Sequence, residues 1–349
     1  MWRRVVVSLA LSGAVACGGD DEGPAEKKAT GGAAGAAGSV SSGGSGGSGG
    51  SAGSGGSGGT DGGAGAGGGG AAPACSLAPV APGTTERSIT SGGATRKARV
   101  HVPTGYDAKQ KVPLVLVFHG YLENAQQIEK ISEMTPVSDA KGFVVAYPEG
   151  ISQSWNAGKC CGSAASQKAP DVQFVSDLID ALSSDLCIDD KRVYAAGFSN
   201  GGMLSNRLAC ELSNRIAAFA PVSGPLAMDG CTPTRFMPMI EFHGTSDLVV
   251  PYGGNGLGGA LSVAANVAFW TQNAGCTDGQ PAQVFKNGDS TCVEYSQCQA
   301  GAAVRLCTVE GGGHQWPGGQ SAGSLAGKLT QDIDASDEMV KFFLAHPMP

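Results

Sequence analysis

The chain has 349 residues, 41% of them hydrophobic and 15% charged, with 23 Lys and Arg against 30 Asp and Glu and a net charge of −7. A negative balance with no basic stripe excludes a nucleic-acid surface, and no apolar run beyond the first residues is long enough to cross a bilayer. No cofactor, metal or nucleic acid is called for, and a monomer is expected.

Arg3 and Arg4 precede an apolar run over 5–15, followed by Ala16 and Cys17. A basic start, a short apolar stretch and small residues before the cut predict a secretory signal. Ala14-Val15-Ala16-Cys17 is similar to a bacterial lipobox, so residues 1–17 are expected to be a lipoprotein-type signal with Cys17 as the lipidated residue. That anchor is the only membrane contact expected. Residues 18–74 hold 25 glycines among 57 positions. They cannot bury a core and are expected to form a flexible tether with a reach on the order of 40 Å. An exported protein, extracellular or at the cell surface, follows.

Residues 75–349 are ample for one α/β domain. Of the 11 cysteines, ten lie in this region, an even number with no C-x-x-C spacing, which points to disulfides and away from zinc. The expected pairs are Cys210–Cys231, Cys276–Cys307 and Cys292–Cys298. Cys160 and Cys161 are adjacent and are expected to take Cys75 and Cys187 rather than each other.

Residues 97–102 alternate like an outer strand. Continuous apolar runs at 113–118, 143–147, 192–196, 216–222 and 239–242 read as strands covered on both faces. Between and after them, 171–186, 263–270 and 339–344 carry helical periodicity. The alternation predicts a doubly wound, mostly parallel sheet, in which sites lie at the carboxyl ends of the strands.

The 192–196 strand runs into Gly197-Phe198-Ser199-Asn200-Gly201 and then a helical pattern. This is the G-x-S-x-G nucleophile elbow, whose small flanking residues permit a tight strand-to-helix turn that exposes the serine hydroxyl. The fold that carries this elbow presents nucleophile, acid and base in that chain order. Of five histidines, His119 and His243 close strands in His-Gly pairs and are expected to brace loops. His101 lies in an outer strand and His346 in the tail, which leaves His314, in Gly313-His314-Gln315-Trp316-Pro317, as the base. Among the aspartates between Ser199 and His314, only Asp247 directly follows a buried strand, so it is the expected acid. The oxyanion hole should use the N–H of Asn200 and that of Tyr121.

Ser154-Trp155-Asn156 with Cys160-Cys161-Gly162, the Ser199 elbow, His243-Gly244-Thr245-Ser246-Asp247 and Gly313-His314-Gln315-Trp316-Pro317 together resemble the secreted polyhydroxybutyrate depolymerase-like esterases. These are similar to the feruloyl and acetylxylan esterases of carbohydrate esterase family one. The resemblance spans about residues 87–345. It implies an α/β-hydrolase fold, a Ser199–Asp247–His314 triad acting on polymeric or oligomeric carboxylic esters, and Trp155 and Trp316 near the substrate. Pro170-Asp171-Val172 departs from the family, which often has two acidic residues there. Only about 16 residues separate the strands ending at Val222 and starting at Met239, which leaves no room for a large cap. A catalytically inactive surface-binding protein or a prolyl-type peptidase are the rival readings.

Overall fold

The computed structural model describes residues 75–349, all within one compact unit. The signal, Cys17 and the tether fall outside the described residues. The sheet runs in the order β1-β2-β4-β3-β5-β6-β7-β10-β9-β8. Its centre is six parallel strands: β4 (Val144–Pro148), β3 (Val112–Phe118), β5 (Ile188–Phe198), β6 (Ala218–Val222), β7 (Met239–Gly244) and β10 (Val304–Val309). Each flank is antiparallel: β1 (Gly83–Ser91) and β2 (Ala94–Val102) on one side, β8 (Ala282–Asn287) and β9 (Ser290–Tyr295) on the other.

The apolar runs of the central strands have the expected cause. Both faces are covered, and alternate side chains feed two separate cores. On one face Leu114, Leu116 and Phe118 pack with Phe174, Leu208 and Trp270 from α4 (Asp171–Asp185), α5 (Asn200–Glu211) and α6 (Val263–Asn273). On the other, Val115 and Val117 pack with Ile128, Met134 and Phe343 from α1 (Ala125–Ser132), α2 (Met134–Lys141) and α7 (Ala335–Ala345). A short α3 (Gly162–Ser166) follows β4. Side-chain caps start several helices: Asn124, Ser262 and Asp334 each accept from the backbone N–H three residues on. Because β3, β5, β7 and β10 are parallel, the loops after Phe118, Phe198, Gly244 and Val309 all emerge at one edge.

The cysteines correct the expected pairing. Cys210–Cys231 forms as expected, but Cys276 joins Cys298, Cys292 joins Cys307, Cys75 joins Cys187, and Cys160 joins Cys161. Strand register decides the second of these: Cys292 and Cys307 stand opposite each other across the β9–β10 ladder. Cys276 and Cys298 flank the β8–β9 hairpin, one before it and one after it. Once Cys75 ties the start of the domain to the residue before β5, the adjacent cysteines have only each other.

Candidate active site

Ser199 sits between β5 and α5 with φ 54° and ψ −119°, a left-handed conformation rare for a residue with a Cβ. Its neighbours force it. A Cβ on Gly197 would run into the Gly201 carbonyl, and one on Gly201 into the carbonyl of Phe118. Glycine at both positions lets the strand, the turn and β3 close up, which projects Ser199 from the sheet edge at the N-terminus of α5.

A cleft of about 240 Å³ opens at that edge, walled by Ser199, His314, Tyr121, Glu123, Cys161 and Met203 among others. His314 enters from the loop after β10, its ring 4.7 Å from that of Phe198. Its Nδ1 is 2.7 Å from Asp247 Oδ2. The Asp247 side chain is buried, and its other oxygen accepts from the N–H groups of Val249 and Val250, each at 2.9 Å. Burial pushes the Asp247 carboxyl up, but the His314 bond, the Val250 N–H and the nearby His243 outweigh it and hold it below the ordinary range. Ser199, Asp247 and His314 are thus brought to one edge, the serine and the histidine in one cleft.

The oxyanion candidates lie around the same cleft. The Gly120 N–H is taken by Glu123 Oε2 at 2.8 Å and the Leu122 N–H by Gln153 O at 2.8 Å. The N–H between them, that of Tyr121, has no partner among the described residues. Asn200 is the first residue of α5, where a backbone N–H has no partner within the helix.

His119 and His243 brace loops, as their strand-end positions suggested. His119 Nδ1–H donates to Gly120 O at 2.7 Å while Nε2 accepts from Gly150 N–H at 3.0 Å. Burial lowers this imidazole to about 4, so it stays neutral.

Trp155 and Trp316 correct the resemblance. Both are fully buried and neither belongs to the cleft wall. Trp155 donates to His119 O at 3.0 Å and packs edge-on against Phe118, bracing the β3 loop from behind. Trp316 donates to Ser336 Oγ at 3.0 Å in the opposite core. An indole N–H inside a protein needs an acceptor, and for both the acceptor is internal.

The side-chain roles of Asn200, Asp171 and Glu123 are not legible in the sequence. The Asn200 side chain clamps Trp155 at both ends, accepting from its N–H at 2.7 Å and donating to its carbonyl at 3.1 Å. Buried Asp171 accepts from Arg96 at 2.9 Å and from the Asn156 N–H at 2.8 Å. The single acid at the family departure therefore pins the loop that carries Trp155 and Cys161. Glu123 puts a carboxylate in the cleft wall; burial raises its pKa, against the Gly120 N–H and His314.

The family described as esterase PHB depolymerase matches residues 98–250, from β2 through Ser199 and Asp247. Feruloyl esterase B of Piromyces equi is 37% identical over 236 residues, covering 63% of this chain and 42% of that one, so the match spans less than half of that enzyme. Feruloyl esterase D of Neurospora crassa is 30% identical over 244 residues, covering 64% of this chain and 74% of that one. An acetyl xylan esterase from Aspergillus awamori shares the fold with a TM-score of 0.54 at 15% identity, over 75% of this chain and 99% of that one. The protein is a hydrolase of carboxylic esters with the α/β-hydrolase fold. Within that class, the chain belongs to the family of PHB depolymerase-like and feruloyl esterases.

Proposed function

We propose that the chain is a serine esterase in which Ser199 is the nucleophile, His314 the general base and Asp247 its orienting acid. The observation that carries this reading is the 2.7 Å contact of Asp247 with His314 Nδ1, together with His314 and Ser199 lining one cleft. A carboxylate on Nδ1 fixes the tautomer that leaves Nε2 free to take the serine proton. Attack of Oγ on the ester carbonyl gives a tetrahedral oxyanion, met by the N–H groups of Asn200 and Tyr121. Collapse transfers the proton from His314 to the leaving alcohol and leaves an acyl-serine. Water, activated by His314, then releases the acid.

The substrate we infer is a polymeric or oligomeric ester with a bulky apolar acyl group of the feruloyl type. Met203, Val249, Val250 and Leu325 line the cleft, far more apolar wall than an acetyl group needs. Tyr121, Leu122, Leu248, Val249 and Leu325, at or beside its mouth, are among the exposed large apolar residues. Two of the relatives, feruloyl esterases B and D, are named for that acyl class. Side-by-side hydrolysis of methyl ferulate, acetylated xylan and hydroxybutyrate oligomers tests it. Methyl ferulate should lead in kcat/KM by about tenfold or more, the discrimination an apolar pocket supplies. A preference for acetylated xylan would overturn the acyl assignment.

We further propose export with a lipid on Cys17 and the 18–74 stretch as tether. The disulfides of the domain support an oxidising location. Mass spectrometry of the mature N-terminus should find an acylated Cys17; an unmodified terminus after it would mean plain secretion.

A further inference from the structure

Behind Asp247 lies a second pair of titratable side chains that the ester chemistry leaves idle. Glu241 and His243 are two residues apart on β7, so they share a strand face, and both side chains are fully buried. Glu241 Oε2 accepts from Asn266 Nδ2 of α6 at 2.9 Å. Glu241 Oε1 and His243 Nδ1 have no hydrogen-bond partner and face each other at 3.5 Å. His243 Nε2 lies 2.8 Å from the Val250 carbonyl, which can only accept, so Nε2 carries a proton. A neutral ring would then turn the Nδ1 lone pair toward a carboxylate oxygen in a dry interior, where two facing acceptors are costly. One proton held between Nδ1 and Oε1 converts that clash into a charge-assisted contact.

The surroundings favour the imidazolium form. Burial alone lowers the pKa of His243, but Glu241, the Val250 carbonyl and Asp247 outweigh burial and leave it above the ordinary range. His243 Nε2 also stands 3.5 Å from Asp247 Oδ2, the same oxygen that meets His314. Tyr252 closes the remaining side, edge-on at 5.6 Å with its hydroxyl on Thr308. The titratable groups around His243 are therefore Glu241, Asp247 and Tyr252, with His314 beyond Asp247.

We propose that Glu241 and His243 are positioning residues that set a buried cation behind Asp247, holding that carboxylate in the ionised form that orients His314. The inference rests on the triad reading above. A cation beside Asp247 favours its ionised form, so its loss should move the acid limb of the pH profile upward.

The test is kcat/KM for p-nitrophenyl acetate against pH in wild type and Glu241→Gln. Glutamine keeps the shape and the Asn266 contact, and it can donate to a neutral Nδ1. Glu241→Gln removes the carboxylate together with the imidazolium it holds, so only the difference between the nearer positive and the farther negative charge is lost. The acid limb should rise by a few tenths to about one pH unit, with the plateau little changed. Superimposed profiles would overturn the proposal. Imidazole nitrogen NMR of the wild type needs no variant and no activity: His243 should be doubly protonated near neutral pH, and a singly protonated ring there would equally sink it. Ser199→Ala in the same assay separates the two readings. Retained activity would condemn the triad while leaving the NMR outcome to decide the state of His243.

Discussion

Two strand ends in this molecule read almost alike. β3 finishes Val117-Phe118-His119-Gly120, and β7 finishes Glu241-Phe242-His243-Gly244. Both histidines are buried, both hold a backbone carbonyl, and both support a loop at the active edge. Their protonation differs in direction: burial takes His119 down to about 4, whereas His243 is raised. The difference traces to the residue two positions earlier, on the same face of the strand: Val117 offers nothing, and Glu241 offers a carboxylate. Burial sets the default for an imidazole, and at His243 Glu241, with the Val250 carbonyl and Asp247, reverses it. Under the proposed mechanism, a neutral histidine suits the end that would present N–H donors, and a charged one suits the end that would keep an aspartate ionised.

The sharpest way to break this comparison is to remove what both ends serve. Ser199→Ala should lower kcat on a soluble ester by about 10⁴ to 10⁶, with Asp247→Asn and His314→Ala also severely impaired. The fold should survive, because Ser199 contributes little to either core. Activity in Ser199→Ala within tenfold of wild type would remove the reason for treating the two ends as parts of one site.

The elbow, the strand ends and the order of Ser199, Asp247 and His314 were legible because each depends on local pattern: an apolar run, a glycine pair, a residue just past a strand. Glu241 was hidden within a run read only as a buried strand, and its meaning depends on which atoms of His243 and Asn266 it meets. The β8–β9 hairpin was invisible for a different reason. Most of β8 is exposed, so it lacks the alternation that betrays a half-buried strand. The Cys292–Cys307 register belongs to the adjoining β9–β10 ladder, and with neither strand evident in the sequence the cysteine pairing failed. The tryptophans failed because a family motif marks that a residue matters, not which way its side chain faces.

A second test acts on the neutral end. His119 has a folded value of about 4 against an ordinary 6.5. A depressed histidine contributes stability that is fully present above the unfolded value and lost as pH falls toward the folded one. Across that window wild type should lose about 3 kcal/mol through this group. His119→Gln can still donate to the Gly120 carbonyl and accept from the Gly150 N–H, but it cannot titrate. Urea unfolding from neutral pH down to about 4 should therefore give a flatter pH dependence in the variant. Parallel curves would mean that His119 is not the neutral, buried group described.

The smallest effect expected is also the most specific to the comparison. Glu241→Val gives β7 the residue that β3 has at this position, and it should turn His243 into a second His119. In wild type the raised His243 contributes stability that is present below its unfolded value and fades as pH rises through its folded value. In the variant, burial is opposed only by the Val250 carbonyl and Asp247, without the Glu241 contact that opposes it most, so stability should instead fade as pH drops below the unfolded value. The effect is small because the wild-type displacement is what remains after burial and the Glu241 contact oppose each other. Its sign is the informative part. Subtracting the variant's stability from that of wild type at each pH should give a difference that declines steadily as pH rises. Asn266 loses its acceptor in this variant, which displaces the whole curve without tilting it, because an amide does not titrate. A difference flat in pH would show that Val117 and Glu241 are not what sets the two strand ends apart.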